Sequence, residues 1–187
     1  MPTSADVVPT PGDAARRDAV LESALRTFAR FGYRKTSMDD VAREAAISRP
    51  GLYFLFSSKP NLFRAAADHG IERDLRDARQ ALLAPGRPLG ERIAAAFDCW
   101  AGRYVGPLQD VNAVVRENPD LLGPVARGGP DRFERLLIAA LREAGDREPE
   151  AVAQTLVSAS IGIKHQTASR DEYRARMAIA VELLTRR

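Results

Sequence analysis

The sequence predicts an all-α protein: a three-helix, helix-turn-helix domain followed by a C-terminal helical bundle, about nine or ten helices in all. Three observations predict it. Apolar residues recur at i, i+3, i+4 and i+7 along most of the chain, with no sustained alternation of the kind strands need. Gly and Pro clusters cut this periodicity into helix-length pieces. Two of the pieces, Ser37 onward and Ser48 onward, are short and separated by only a few residues, which forces a steep crossing.

The first helix is expected from about Asp13 to Phe31, with Val20, Leu21, Ala24, Leu25 and Phe28 on one face and Gly32 as its terminator. Residues 1–12, holding Pro2, Pro9, Pro11 and Gly12, read as a disordered tail without the basic and apolar regions of a signal peptide. Ser37 opens a short second helix, with Asp40 three residues later completing a capping box. After a tight break at Ala46-Ile47, Ser48 caps a third helix through about Leu55, with Pro50 in a first turn where a missing N–H costs little. Ser58 caps a long helix from Lys59 to about Leu83, and residues 84–88 form a loop. Further helices are expected at about Leu89–Tyr104, Pro107–Glu117, Pro119–Arg127, Asp131–Ala144, Pro149–Ala168 and Arg170–Arg186. The domain division that follows is a tail at 1–12, a helix-turn-helix domain at 13–58 and a second helical domain at 59–187.

The 187 residues are 45% apolar and 28% charged, ordinary values for a globular protein. The net charge of +3 is unevenly spread. From Asp13 to Arg64 there are ten Lys or Arg against six Asp or Glu, whereas from Ala65 to Arg187 the signs balance at eighteen each. A basic module joined to a neutral one suits a polyanionic partner on one side only. One cysteine, Cys99, excludes an intrachain disulfide and agrees with a cytoplasmic location. No apolar run approaches the roughly 18 residues of a membrane span, so no membrane partner is expected.

The stretch from Ser37 to Phe56, SMDDVAREAAISRPGLYFLF, concentrates the functional signal. Ala42 and Ala45 supply small side chains where the helices cross. Val41, Ile47 and Leu52 supply a three-way apolar contact that Phe28 closes. The run GYRKTSMDDVAREAAIS followed by LYFLFSSK, within residues 20–63, resembles the signature of the tetracycline-repressor (TetR) family of transcriptional regulators. That resemblance implies a homodimer that binds double-stranded operator DNA. The third helix would enter the major groove, with Arg49 reaching guanine O6 and N7 bidentately. Pro50 and Gly51 permit close approach, Thr36, Ser48 and Tyr53 contact phosphates, and the backbone N–H of Met38 behind Ser37 does the same. Lys59 resembles the family's phosphate-binding lysine. Arg16, Arg17, Arg34, Lys35 and Arg43 would add salt-sensitive attraction. The sequence departs from the family at Ala46, where a glycine is common in the turn, at Gly51, where a threonine often sits, and at Leu55, where many members carry histidine.

Beyond residue 64 the reading is coarser. Leu89, Ile93, Phe97, Trp100 and Tyr104 form one stripe. In the family this region surrounds an effector pocket, which implies a cavity lined by Phe97, Trp100, Tyr104, Val111, Val115, Phe133 and Leu137. Asp98, Gln109, Asn112 and Gln154 would orient a ligand. The last two helices carry more apolar face than one protomer needs, which points to a two-fold dimer interface at Val157, Ile161, Tyr173, Met177, Val181 and Leu184. His69 and His165 read as helix-surface or interface residues rather than ligands, and neither a metal-spaced His/Cys set, a glycine-rich phosphate loop nor a nucleophile elbow is present, so no catalytic residue, cofactor or metal is expected. The function implied is a repressor released from a palindromic operator by a small, largely apolar effector. The other reading is a ligand-responsive helical adaptor that acts through protein contacts.

Overall fold

The computed structural model describes residues 11–106 and 119–186. Among these are eight α-helices, two short 3-10 helices and no strand. Helix α1 (Pro11–Lys35) turns at Gly32, whose φ of +77° breaks the helical path, as its sequence position predicts. α2 (Met38–Glu44) and α3 (Arg49–Leu55) follow, then the long α4 (Lys59–Leu82). α5 (Leu89–Trp100) passes into a 3-10 turn at Gly102–Tyr104, and a second 3-10 turn at Pro119–Leu121 precedes α6 (Pro124–Glu143). α7 (Pro149–Gln166) and α8 (Arg170–Thr185) complete the bundle. The expected helix at 107–117 and most of the expected tail lie outside the described residues.

Two expected breaks differ. The helix beginning at Leu89 does not run on to Tyr104 but ends at Trp100 and passes into the tighter 3-10 turn at Gly102, where a β-carbon would stand 3.2 Å from the Tyr173 ring. Conversely, Gly128-Gly129-Pro130 does not divide two helices; it lies inside α6, where these residues allow a close approach. A β-carbon on Gly129 would fall 2.9 Å from Ile71 Cγ2 and 3.2 Å from the Trp100 ring. The glycine sets how near α6 can come to α4 and α5, and packing overrides its poor helix propensity.

Two apolar cores result. The first joins Val20, Phe28, Val41, Leu52, Leu62 and Phe63, with Phe28, Tyr33 and Phe63 in mutual ring contact at 5.0–5.8 Å between centroids. Val41, Ala42 and Leu52 meet there with Ile47 and Ala45 at the margin, the contact expected of the short-helix unit. The second core joins α4's later turns to α5–α8 around Phe97, Phe133, Leu137, Leu156 and Tyr173. α4 is shared: Leu62–Ala67 belong to the first core and Leu75–Leu82 to the second. The first unit therefore extends past residue 58 into α4.

Candidate DNA-binding face and ligand cavity

Three serines begin three successive helices. Ser37 Oγ accepts from the Asp40 N–H at 3.1 Å, and the Asp40 carboxylate accepts from the Ser37 N–H at 2.9 Å, completing the capping box. These bonds from Ser37 hold the Asp40 carboxyl below its ordinary range. Ser48 Oγ accepts from the Gly51 N–H at 3.1 Å, and Ser58 Oγ from the Asn61 N–H at 3.3 Å. Pro50 occupies the second position of α3, where it forfeits no hydrogen bond. The absence of a side chain at residue 51 has a local cause, since a β-carbon would lie 3.0 Å from the capping Ser48 Oγ. Ala46 sits in the turn at φ +52°, the left-handed conformation that glycine favours.

Together these features expose the starts of α2 and α3 on one face. Arg49, Pro50 and Tyr53 are exposed there, and the N–H of Met38 heads α2 while its side chain is buried. Arg49 Nε lies 3.1 Å from Asp39 Oδ1 and Nη1 lies 3.2 Å from Oδ2, with the guanidinium 5.7 Å from the Tyr53 ring centre.

Two expected phosphate contacts are otherwise engaged. Thr36 is buried and its hydroxyl donates to the Gly32 carbonyl at 2.8 Å, so it closes the α1–α2 turn. Lys59 donates from Nζ to the Tyr33 and Thr36 carbonyls, both at 3.0 Å, and lies 4.5 Å from the centre of the Tyr33 ring. The ammonium ties α4 to the carbonyls that end α1, which are polar groups seeking a donor. Arg17 likewise reaches the Leu55 carbonyl at 3.4 Å and stacks on Phe56, bracing α3 from behind.

A cavity of about 290 Å³ lies where the two cores meet. Phe97, Trp100 and Tyr104 line it, as the sequence predicts. Phe133 does not; it is buried behind Trp100, stacked on the indole at 4.9 Å between centroids, and Leu137 is deeper in the same core. Val111, Val115, Gln109 and Asn112 lie outside the described residues. Gln154 is exposed elsewhere, and Asp98 is held by Arg170 at 2.8 and 2.9 Å. The rest of the wall comes from elements the sequence did not connect with a pocket: Leu25 and Phe28 of α1, Gly70 and Asp74 of α4, and Val157, Ser160 and Ile161 of α7.

Asp74 is fully buried. Arg73 Nε and Nη2 both donate to its Oδ1 at 3.0 Å, and Arg103 Nη1 lies 3.0 Å from the same oxygen. The Tyr104 hydroxyl donates to Oδ2. Burial is the largest influence and pushes the Asp74 carboxyl above its ordinary range, while Tyr104 and the two guanidinia pull the other way. Burial beside Asp74 also pushes the Tyr104 hydroxyl up. Arg73 continues the network to Glu22 of α1, which His69 also approaches at 3.1 Å. His69 is therefore an interhelical residue, facing Asp18 and Glu22 of α1. The signal for Asp74 was present: Phe63, Ala66, Ala67, Gly70, Asp74, Leu75, Ala78 and Leu82 form α4's buried stripe, and one member is a carboxylate.

The expected dimer residues divide. Tyr173, Met177 and Val181 are buried within the protomer and face the second core, so they are not available to a partner. Val157 and Leu184 are half-buried. Ile161 is 57% exposed, and the outward apolar residues of α8 are Ile179 and Leu183, 58% and 63% exposed. Of the two stripes on the last helix, the one through Tyr173 turns inward because its hydroxyl pairs with buried Ser160 at 2.7 Å.

Among the described residues no group of three His, Cys, Asp or Glu side chains is placed to hold a metal, and no helix is long and apolar enough to cross a membrane. Cys99 is half-buried, and burial raises its thiol pKa, which disfavours the reactive thiolate.

Two short, serine-capped helices crossing over Ala42 and Leu52 define a helix-turn-helix protein with a helical bundle attached. Residues 20–66 match the bacterial regulatory proteins of the tetR family. The chain is 39% identical over 124 residues to the HTH-type transcriptional regulator YfiR of Bacillus subtilis, covering 66% of this chain and 51% of that protein. It is 40% identical over 108 residues to the HTH-type transcriptional repressor ComR of Escherichia coli, covering 58% and 51%. The chain thus spans about half the length of the curated relatives it matches. A TetR-family transcriptional regulator from Mesorhizobium loti shares the fold, with a TM-score of 0.74 over 94% of this chain and 97% of that one at 17% identity. Residues 20–66 are thus similar to the tetR family, and beyond them the likeness is one of fold.

Proposed function

We propose that the protein is a cytoplasmic, sequence-specific DNA-binding transcriptional regulator, a homodimeric repressor released from a palindromic operator by a small, largely apolar molecule. The carrying observation is the exposed face of α2 and α3, where Arg49, Pro50 and Tyr53 stand beside the serine-capped helix starts. Helix starts favour phosphate, and an exposed arginine at the beginning of a recognition helix favours guanine. Ser37, Ser48 and the Met38 N–H position the protein on the backbone. Thr36 and Lys59 act from beneath, by fixing the turn that presents them.

The cavity supports the regulatory half of the reading. Its wall includes α1 and α4 as well as α5–α7, so a ligand filling it touches the DNA-binding unit directly. Asp74 and Tyr104 already satisfy each other and their arginines, which leaves aromatic and aliphatic surface as the main attraction for a guest. Shifting the operator-binding population from 99:1 to 1:99 requires a ligand preference of about 5.5 kcal/mol for the released state. The exposed Ile161, Ile179 and Leu183 on α7 and α8 are the patch we assign to the dimer contact. A two-fold dimer places its recognition helices roughly 34–36 Å apart, one turn of DNA.

Fluorescence anisotropy on the DNA upstream of the protein's own coding region, over a salt series, tests this. The repressor reading expects tight, sequence-dependent binding by two protomers per palindrome, with a steep salt slope, lost in Arg49→Ala. Weak binding, equal on scrambled DNA and indifferent to Arg49→Ala, would favour the adaptor reading instead.

A further inference from the structure

Asp39 and Asp40 are adjacent acidic residues at the start of α2, and the structure gives them different tasks. Asp40 serves the cap, accepting from the N–H and Oγ of Ser37 at 2.9 and 2.6 Å. Asp39 takes no part in the cap. It crosses the turn to Arg49, ten residues on, with both carboxylate oxygens engaged at 3.1 and 3.2 Å. A carboxylate on a face that meets phosphates is unfavourable in itself, which makes its position informative.

The chemistry of the contact decides what it does. A guanidinium has five N–H groups in one plane, arranged in a side-on pair through Nε and an end-on pair through the two Nη atoms. Asp39 accepts one hydrogen bond from Nη1 and sets its other oxygen 3.1 Å from Nε as an ion-pair contact, so it does not occupy the side-on pair of Nε and Nη2. The carboxylate takes one of the two Nη1 hydrogens, which leaves the other to form the end-on pair with Nη2. That fork has the spacing of guanine O6 and N7. Tyr53 limits movement from a second side, its ring centre 5.7 Å from the guanidinium carbon. Carboxylate and guanine can therefore hold the same arginine at once, through different hydrogens.

We infer that Asp39 is a positioning residue for Arg49, fixing the guanidinium plane so that its end-on fork reads a guanine, and that it thereby sets the protein's preference at that base pair. This rests on the DNA-binding reading proposed above. Without Asp39, a long and flexible arginine beside two phosphate backbones would find a phosphate, where any sequence serves equally well. Asp39 exchanges some affinity for discrimination.

Selection of bound sequences from a randomised duplex pool, followed by anisotropy on the enriched site and on a scrambled duplex, tests the inference. Arg49→Ala identifies the base pair that Arg49 reads, by abolishing one guanine preference. Asp39→Ala is expected to lower that same preference about fivefold or more, leave the other positions unchanged, and tighten binding to scrambled duplex. Its salt slope should steepen by about one phosphate equivalent, because the released arginine takes one. Asp39→Asn, which keeps the shape and one acceptor, should fall between wild type and Asp39→Ala, and a far-ultraviolet melt shows that both are folded. In the Arg49→Ala background, Asp39→Ala should change nothing further at that base pair, as for a residue that acts only through the arginine. The inference is overturned if Asp39→Ala keeps the full guanine preference, or if Arg49→Ala removes no base preference from a wild type that has them. If the wild-type protein enriches no sequence, the DNA-binding reading falls and this one with it.

Discussion

The two cores of the molecule are specified differently. In the N-terminal unit, α2, α3 and α4 each begin at a serine whose hydroxyl accepts a backbone N–H. In the bundle, α8 is likewise capped by Ser169, but α5, α6 and α7 begin at Pro88, Gly123 and Glu148, none of which supplies a side-chain cap. Helices of seven residues are too short to hold on their own, so caps and a glycine turn must define them. Helices of twelve to twenty residues tolerate bare ends, because burial of an apolar face holds them in place. The short helices present side chains to a partner at fixed positions. The long ones enclose a space.

The contrast breaks most visibly at Asp74. Removing the carboxylate by Asp74→Ala leaves Arg73 with Glu22, Arg103 with Asp77 and the Tyr104 hydroxyl without its acceptor, and should cost about 3 kcal/mol of stability in urea unfolding. A loss under about 1 kcal/mol would mean that water replaces the carboxylate and the cluster is not a structural joint. Gly129→Ala comes next. The added methyl meets Ile71 and Trp100, and overpacking of this kind costs about 1–3 kcal/mol, measured the same way. An unchanged midpoint would show that α6 slides freely on α4.

Smaller effects belong to the N-terminal unit. Ser48→Ala should cost about 1 kcal/mol through the lost cap of α3 and weaken operator binding beyond that, since α3 carries Arg49. Ala46→Gly should act in the opposite direction, stabilising the turn by about 1 kcal/mol, because alanine is strained at φ +52°. The smallest effect is the pH response of the α2 cap. Asp40 has its carboxyl lowered in the folded state, so its contribution is complete above the ordinary carboxylate pKa. That contribution is lost as pH falls through the folded value. A titration of the Asp40 carboxyl by NMR should therefore show a midpoint below that of a free aspartate, and Ser37→Ala should move it back up.

Legibility in the sequence followed the same division. The ends of α2, α3 and α4 were placed to within one residue, because capping and turn chemistry act over four residues and leave their signature locally. Ala46 stood out only against the glycine common there in the family, and its left-handed φ of +52° belongs to the folded turn. Three kinds of position were not legible. Thr36 and Lys59 were read as phosphate ligands, but each meets a carbonyl at the end of α1, and only the folded turn brings those carbonyls within reach. Gly128-Gly129-Pro130 has the composition of a loop, and its helical state depends on Ile71 and Trp100 pressing against Gly129. Tyr173, Met177 and Val181 form an apolar stripe like the one beside it. Periodicity shows that a face is apolar without showing which neighbour covers it.

By itself, then, the sequence determined the fold class and the helix-turn-helix within residues 20–63, since these rest on interactions between residues close in the chain. The tertiary structure decided where the cavity opens, that α1 and α4 share its wall with α7, and that Asp74 stands within it. It also decided that Asp39 faces Arg49 while Asp40 faces Ser37. Each of these is a meeting of side chains distant in sequence or divided by a turn, and such meetings exist only after the helices have chosen their packing partners.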